Sequence, residues 1–344
     1  MKIASFFSGA GGLDRGFEDA GFQICYSNEY DKTIWDTCRL NFRETRLDTR
    51  SIVDVDSDDV PDVDGFIGGP PCQSWSEAGA GRGIEDARGQ LFYEYVRLLQ
   101  EKRPKFFLAE NVSGILHPKH AQAFTNILEQ FSEAGYDVTY KLLNAHDYEV
   151  PEDRLRVIVV GYRRDLGIRY RFPLPIDRKL FLRDAIGDLP LPIPAGPGNS
   201  ANSNLEVLNH EYMTGGFSTI FMSRNRVRSW DEPSFTIQAG GRHAPIHPSA
   251  PKMLLVGKNQ RVFAPGFEDT YRRLSVRECA RIQTFPDDHK FIYSRIADGY
   301  KMVGNAVPVR FAYHLGRSIH DDLTGVSRPY LDSSVSQNLV LNLK

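Results

Sequence analysis

Apolar residues in the first half of the chain follow two alternating rhythms. Short apolar runs, "KIASFF" (2–7), "FQICYSNEY" (22–30), "VDGFIGG" (63–69) and "KFFLAENV" (105–112), have the length of buried strands. Between them, "LDRGFEDAG" (13–21), "DKTIWDTCRLNF" (31–42), "LFYEYVRLLQEK" (91–102) and "HAQAFTNILEQFSEAG" (120–135) space their apolar residues as a helix does. Strand-helix alternation predicts an α/β fold, a doubly wound and mostly parallel sheet. The consecutive strands "YDVTYKLLNA" (136–145) and "RVIVVGYR" (156–163) predict an antiparallel element near one edge.

Beyond about residue 185 the rhythm stops. "LPLPIPAGPGNSANSN" (189–204) reads as loop, and short segments without helical period follow to about residue 270. Helical spacing resumes in "SVRECARIQTF" (275–285) and is strong in "VPVRFAYHLGRSIHDDL" (307–323). The expected plan is a catalytic domain (1–180) to which the chain returns (304–344). A smaller irregular domain (181–275) and a hinge (276–303) lie between. The acidic stretch "VDVDSDDVPDVD" (53–64) reads as a solvated loop, away from any polyanion.

Composition changes this picture little. With 41% hydrophobic residues and a net charge of −2, the 344-residue chain is an ordinary globular protein and no polycation. Contact with nucleic acid would need local patches. No run approaches membrane-spanning length and no export signal is apparent, so the expected compartment is cytoplasmic, with reduced thiols. The four cysteines are scattered, which argues against a disulfide framework or a metal site.

Candidate chemistry gathers at the carboxyl ends of predicted strands, where open α/β sheets bind their ligands. "FFSGAGGLDRGF" joins a strand to a helix through glycines, yet lacks the spacing of a dinucleotide loop. The next strand ends in Glu29, suited to ribose hydroxyls, and Tyr30, whose ring could stack on adenine. "GGPPCQSWSEAGAGRG" (68–83) presents Cys72 behind the stiff Pro70-Pro71 pair, ahead of a glycine-rich stretch suited to a lid. A thiolate there is a strong nucleophile. Cys25, Cys38 and Cys279 lie in periodic segments and read as buried hydrophobes. Glu110 ends an apolar strand, partly desolvated and able to carry a proton. Arg154 and Arg156, two apart at the mouth of a strand, point to one face and suit a carboxylate, phosphate or carbonyl.

Taken in order, "FSGAGGL", "GGPPCQSWS", "ENV", "DRLRVIVVG", "RRLSVRECARIQTFPDD" and "YKMVGNAVPV" resemble the DNA cytosine-5 methyltransferases over nearly the whole chain. "NHEY" and "STIFMSRNRVR" are most similar to the GGCC-specific modification methylases of the HaeIII type. The resemblance implies S-adenosylmethionine as methyl donor and S-adenosylhomocysteine as product. Around it would stand Phe7, Ser8, Gly9, Ala10, Gly11, Gly12, Leu13, Glu29, Tyr30, Ile52, Gly69, Pro71, Leu91, Asn305, Ala306 and Val307. Cys72 would attack C6 of a flipped-out cytosine, Glu110 would hold or protonate N3, and Arg154 and Arg156 would polarise O2. Ser74, Ser76, Arg226, Arg228 and Arg242 would contact double-stranded DNA, with a monomer on the duplex, no metal and no membrane. The resemblance further implies the internal cytosine of GGCC as target and a restriction–modification setting; RNA methylation by the same fold is the alternative.

The chain departs from the family pattern twice. Glu152 stands where relatives carry Gln ahead of the arginine pair, which would either weaken an inward contact or turn to solvent. Ser51 stands where the resemblance would place an Asp facing the adenine amino group.

Overall fold

The computed structural model describes residues 1–71, 87–202 and 205–331. Its centre is a seven-stranded sheet of β1 (Lys2–Phe6), β2 (Gln23–Asn28), β3 (Arg46–Asp48), β4 (Gly65–Gly68), β5 (Phe106–Val112), β6 (Tyr136–Asn144) and β7 (Leu155–Arg163). The order is β3-β2-β1-β4-β5-β7-β6. Strands β1 to β5 run parallel, and β7 is antiparallel to both β5 and β6. The antiparallel element therefore lies one strand in from the edge. The short β3, too brief to show a period, escaped the sequence pattern.

Alternation of side chains splits the interior into two layers. On one face Phe6, Phe66, Phe107 and Val159 pack under the helices Ala87–Lys102 and Ala121–Glu133. On the other, Ile3, Ile67, Leu108 and Val160 pack under Gly12–Asp19 and the final helix Val309–Thr324. These last two helices lie very close. A Cβ on Gly16 would come within 2.4 Å of Ala312 Cβ and 2.5 Å of the Val309 carbonyl. The two ends of the chain are thereby joined across about three hundred residues of sequence.

The acidic stretch is less solvated than expected. Val55 and Val60 are buried in the first layer, and Asp64 accepts from the Lys2 amide and the Lys105 ammonium. Among the described residues of 187–274 there are only two-residue to four-residue strands and 3-10 turns, around a small cluster of Phe221, Val227, Ile246, Ala250, Met253 and Tyr271. Within 276–303 the helix Val276–Ile282 starts at Ser275, whose side chain and that of Glu278 cap each other's backbone. A second helix, Ile296–Asn305, follows, and both are buried in a third cluster with Tyr300 and Val303. Among the described residues no helix is long and apolar enough to cross a membrane.

Candidate active site

The carboxyl ends of β1, β2, β4 and β5 open onto a cavity of about 490 Å³, within the range of small-molecule sites. Phe7, Ser8, Gly9, Ala10 and Leu13 line it from the first strand-to-helix turn, Glu29 from β2, and Asn305, Ala306 and Val307 from the far end of the chain. Phe7 adopts φ 53°, a left-handed conformation that a bulky residue keeps only where its surroundings enforce it.

The glycines of the turn serve different needs. Gly9 (φ +55°) has nothing within 4 Å of where a Cβ would stand, so it leaves the cavity side open. Gly11 is bare because a Cβ would strike the Phe42 ring at 2.1 Å, and Gly12 because it would strike the Val307 carbonyl at 2.2 Å. Packing alone would exclude a side chain at both positions, and Gly11 also sits at φ +80°, where glycine is favoured.

Glu29 is buried, which raises its pKa, and its oxygens accept from Gly9 N (2.8 Å) and Asp31 N (2.7 Å). A carboxylate has about four acceptor sites, so both oxygens can still take a hydroxyl each. With the cavity's size and the open flank of Gly9, this fits an adenosine-bearing cofactor. Tyr30 is 73% exposed, Ile52 is buried in the first layer and Leu91 packs on that layer, and none of the three lines the cavity. The Ser51 side chain accepts from Val53 N at 3.4 Å, capping a short 3-10 turn.

β4 delivers Gly69, Pro70 and Pro71 to the same cavity. Cys72, Ser74, Ser76 and the stretch expected to form a lid to residue 86 lie outside the described residues; Ala87 and Arg88 already begin a helix. Of the other thiols, Cys38 and Cys279 are buried as expected, whereas Cys25 is only half-buried. Burial pushes the Cys38 thiol up to about 12, holds that of Cys279 well above the usual thiol range, and raises Cys25 for the same reason.

Glu110 lies on the wall of the cavity, its Oε1 2.7 Å from Nε of Arg156. A Cβ on Gly69 would stand 3.3 Å from Glu110 Oε2, so glycine keeps that oxygen uncrowded. Asn111, singled out by nothing in the sequence beyond its place in "ENV", donates to the Pro70 carbonyl at 3.0 Å. It anchors the proline pair that leads to Cys72. Lys301, also unforeseen, bonds Asp31 and Thr33 at 2.8 Å and ties the helix Ile296–Asn305 to the end of β2. A lysine in a helical run gave no signal of a partner so distant in sequence.

Two expectations for the arginine pair need correction. The residues do not share a task, because Arg154 is fully buried and turned onto backbone carbonyls of Ile237, Gly304 and Ala306. Nor does Glu152 turn to solvent: it is 0% exposed and accepts from Ile237 N at 2.6 Å. Burial raises the Glu152 pKa and lowers that of Arg154 to about 10.

The arginines of the inserted region also differ among themselves. Arg226 donates to the carbonyls of Phe221 (2.9 Å) and Ile220 (3.2 Å). Arg228 pairs with Asp153 (3.0 Å) and Glu232 (3.2 Å). They therefore do not face one way along an extended segment. Arg242, on the turn Gly241–His243, is exposed.

Comparison with known proteins agrees over most of the chain. The family described as C-5 cytosine-specific DNA methylase matches residues 1–321. The type II methyltransferase M.MthTI of Methanothermobacter thermautotrophicus is 58% identical over 95% of this chain and 99% of its own. M.FnuDI of Fusobacterium nucleatum is 55% identical over 94% and 95%. Among solved structures, a putative DNA modification methyltransferase encoded within a prophage of E. coli superposes with a TM-score of 0.72 at 23% identity, covering 94% of this chain and 99% of that one. The sheet, the cavity at its strand ends and the ordered motifs thus have a single account: the chain belongs to the C-5 cytosine-specific DNA methylase family.

Proposed function

We propose that the protein methylates C5 of a flipped-out cytosine in duplex DNA, the internal cytosine of GGCC, as the modification enzyme of a type II restriction–modification system. One observation carries this reading. The wall made by Gly9 and Glu29, the Pro70-Pro71 approach to Cys72 and the Glu110–Arg156 pair all converge on one cavity.

Gly9, Glu29 and Asn305–Val307 would hold S-adenosylmethionine, which would supply an electrophilic methyl group, with S-adenosylhomocysteine as the product. The Cys72 thiolate forms the S–C6 bond, and the displaced electron pair makes C5 nucleophilic. Glu110 holds or protonates N3 while Arg156 draws charge toward O2. After C5 is methylated its proton is lost to solvent, the S–C6 bond breaks and the thiolate is regenerated. The target must leave the helix, because C5 and C6 of a stacked base are shielded above and below the ring.

Residues 181–275 serve as the target-recognition domain in this reading, with 276–303 as its hinge. Arginine matches O6 and N7 of guanine in the major groove. Arg242 is available for this at once, whereas Arg226 and Arg228 reach a base only by giving up their present partners. The relatives' names as type II methyltransferases support the restriction–modification setting.

A GGCC duplex carrying 5-fluorocytosine should trap the enzyme covalently, since fluorine cannot leave as the proton does. The trapped peptide is expected to contain Cys72; Cys279 in its place would defeat the assignment. Bisulfite sequencing of a methylated plasmid should show protection inside GGCC alone, and protection elsewhere would refute the specificity while leaving the chemistry.

A further inference from the structure

Three stretches far apart in sequence meet at Arg154. Its guanidinium gives Nη1 to the Ile237 carbonyl (3.1 Å) and Nη2 to those of Gly304 (2.9 Å) and Ala306 (2.7 Å). Ile237 belongs to the inserted region; Ala306 lines the cofactor cavity. Glu152 completes the ring, accepting from Ile237 N at 2.6 Å and lying 3.5 Å from Arg154 Nη1.

The same short segment is stitched to the insert by further bonds. Asp153 N donates to the Ser234 carbonyl (2.9 Å), Ser234 N to that of Pro151 (2.8 Å), and Thr236 Oγ1 to that of Asp153 (2.5 Å). From the other side, Gly304 lies so close that a Cβ would stand 2.3 Å from the Gln238 backbone. Two residues beyond Arg154, Arg156 holds Glu110 on the cavity wall. Both Nη groups of this guanidinium are taken by three carbonyls, and the Nε, though unpartnered, is buried on a side chain 1% exposed, so no face of it is open to a substrate base.

We propose that Arg154, held by Glu152, is a positioning residue that never touches the cytosine: it locks the insert segment 234–237 to the cofactor wall 304–306, so that cofactor and duplex affinities depend on each other. This rests on reading the cavity as the cofactor site. Thermodynamic linkage makes the dependence reciprocal. Glu152 takes part through its acceptor oxygen toward Ile237 N, which an amide also supplies.

The test is calorimetric titration of the intact protein with S-adenosylhomocysteine alone, then with a GGCC duplex present. Arg154→Lys keeps the charge but cannot span three carbonyls. It should weaken S-adenosylhomocysteine binding about tenfold without any DNA present, the scale of losing charged hydrogen bonds. At saturating cofactor its kcat should stay within about threefold, so that the effect falls on KM. Thr236→Val cuts a stitch on the insert side only, yet should lower S-adenosylhomocysteine affinity by about threefold through the same lock. Glu152→Gln, the residue usual in the family, should bind nearly as the parent does.

A fall in kcat with DNA-free S-adenosylhomocysteine affinity unchanged would mean that Arg154 contacts the base, and would overturn the inference. So would lower melting temperatures with both affinities intact. Failure of the parent protein to bind S-adenosylhomocysteine would instead overturn the cavity reading, and this inference with it.

Discussion

Along the seven-stranded sheet the charged groups that matter stand at strand ends over a hollow, Glu29 after β2 and Glu110 on β5. In residues 187–274 the arginines are mostly turned back onto the chain itself. Arg226 holds the carbonyls of Phe221 and Ile220, Arg228 holds Asp153 and Glu232, and Arg273 holds those of Gly215 and Gly216. The difference follows from how each region is stabilised. A sheet satisfies its own backbone and buries alternate side chains, which frees polar residues at its ends for chemistry. A segment with few ladders must recruit side chains to satisfy its carbonyls, and arginine with five donors does this best. A count of arginines in such a segment therefore overstates what is available to DNA.

Substitutions can break or sharpen this contrast, and the largest effects belong to the sheet. Cys72→Ser should reduce methyl transfer by on the order of 10⁴-fold or more, with S-adenosylhomocysteine and duplex binding retained. Labelled methyl transfer beside a binding titration decides it, and substantial residual turnover would remove the thiolate from the mechanism. Glu110→Gln should cost about 10²–10⁴-fold in kcat, the range for a lost proton carrier. A single-turnover rate near that of the parent would leave Glu110 as no more than a partner for Arg156.

Asp14 tests the buried underside of the sheet's first turn. It is 2% exposed, accepts from Ser5 Oγ at 2.5 Å, and burial pushes its pKa from 3.8 up to about 7. The folded chain thus holds this proton more tightly than the unfolded one. Stability from this group is fully present below about pH 4 and lost as pH rises through 7, on the order of 4 kcal/mol in all. His247 and His289, lowered to about 4 by burial, slope the other way: their contribution is present above 6.5 and lost as pH falls through 4. Asp14→Asn should therefore become more stable relative to the parent between pH 4 and 8, measured as the difference between two denaturation series. A constant difference across that range would contradict the burial argument.

Smaller effects are expected in the insert, and their order is the sharpest check on the contrast. Arg242→Ala should cost about 1–3 kcal/mol of discrimination at one base pair of GGCC. Arg228→Ala should leave discrimination nearly intact and lower stability by about 1 kcal/mol, as befits two partly exposed ion pairs. Competition assays with single-substitution duplexes separate the two. Equal losses of discrimination would show that Arg228 abandons Asp153 and Glu232 on the duplex, and the contrast between the regions would fail.

Strand and helix periods in the sequence determined the doubly wound sheet, and with it the end at which the cavity opens, because burial on both faces of a parallel sheet leaves a strong imprint of spacing. The motifs likewise marked Glu29, Glu110 and the Pro70-Pro71 turn, since residues at strand ends are set by local chain geometry. Tertiary structure alone decided which glycines face the cavity and which arginines are free. Gly9 and Gly11 look alike in "SGAGG", yet only the position of the Phe42 ring separates their roles. Arg154 and Arg156 lie two apart, yet one is sealed among carbonyls that arrive from residues 237, 304 and 306 while the other holds Glu110. Such contacts depend on where distant segments come to rest, and no local spacing in the chain encodes that.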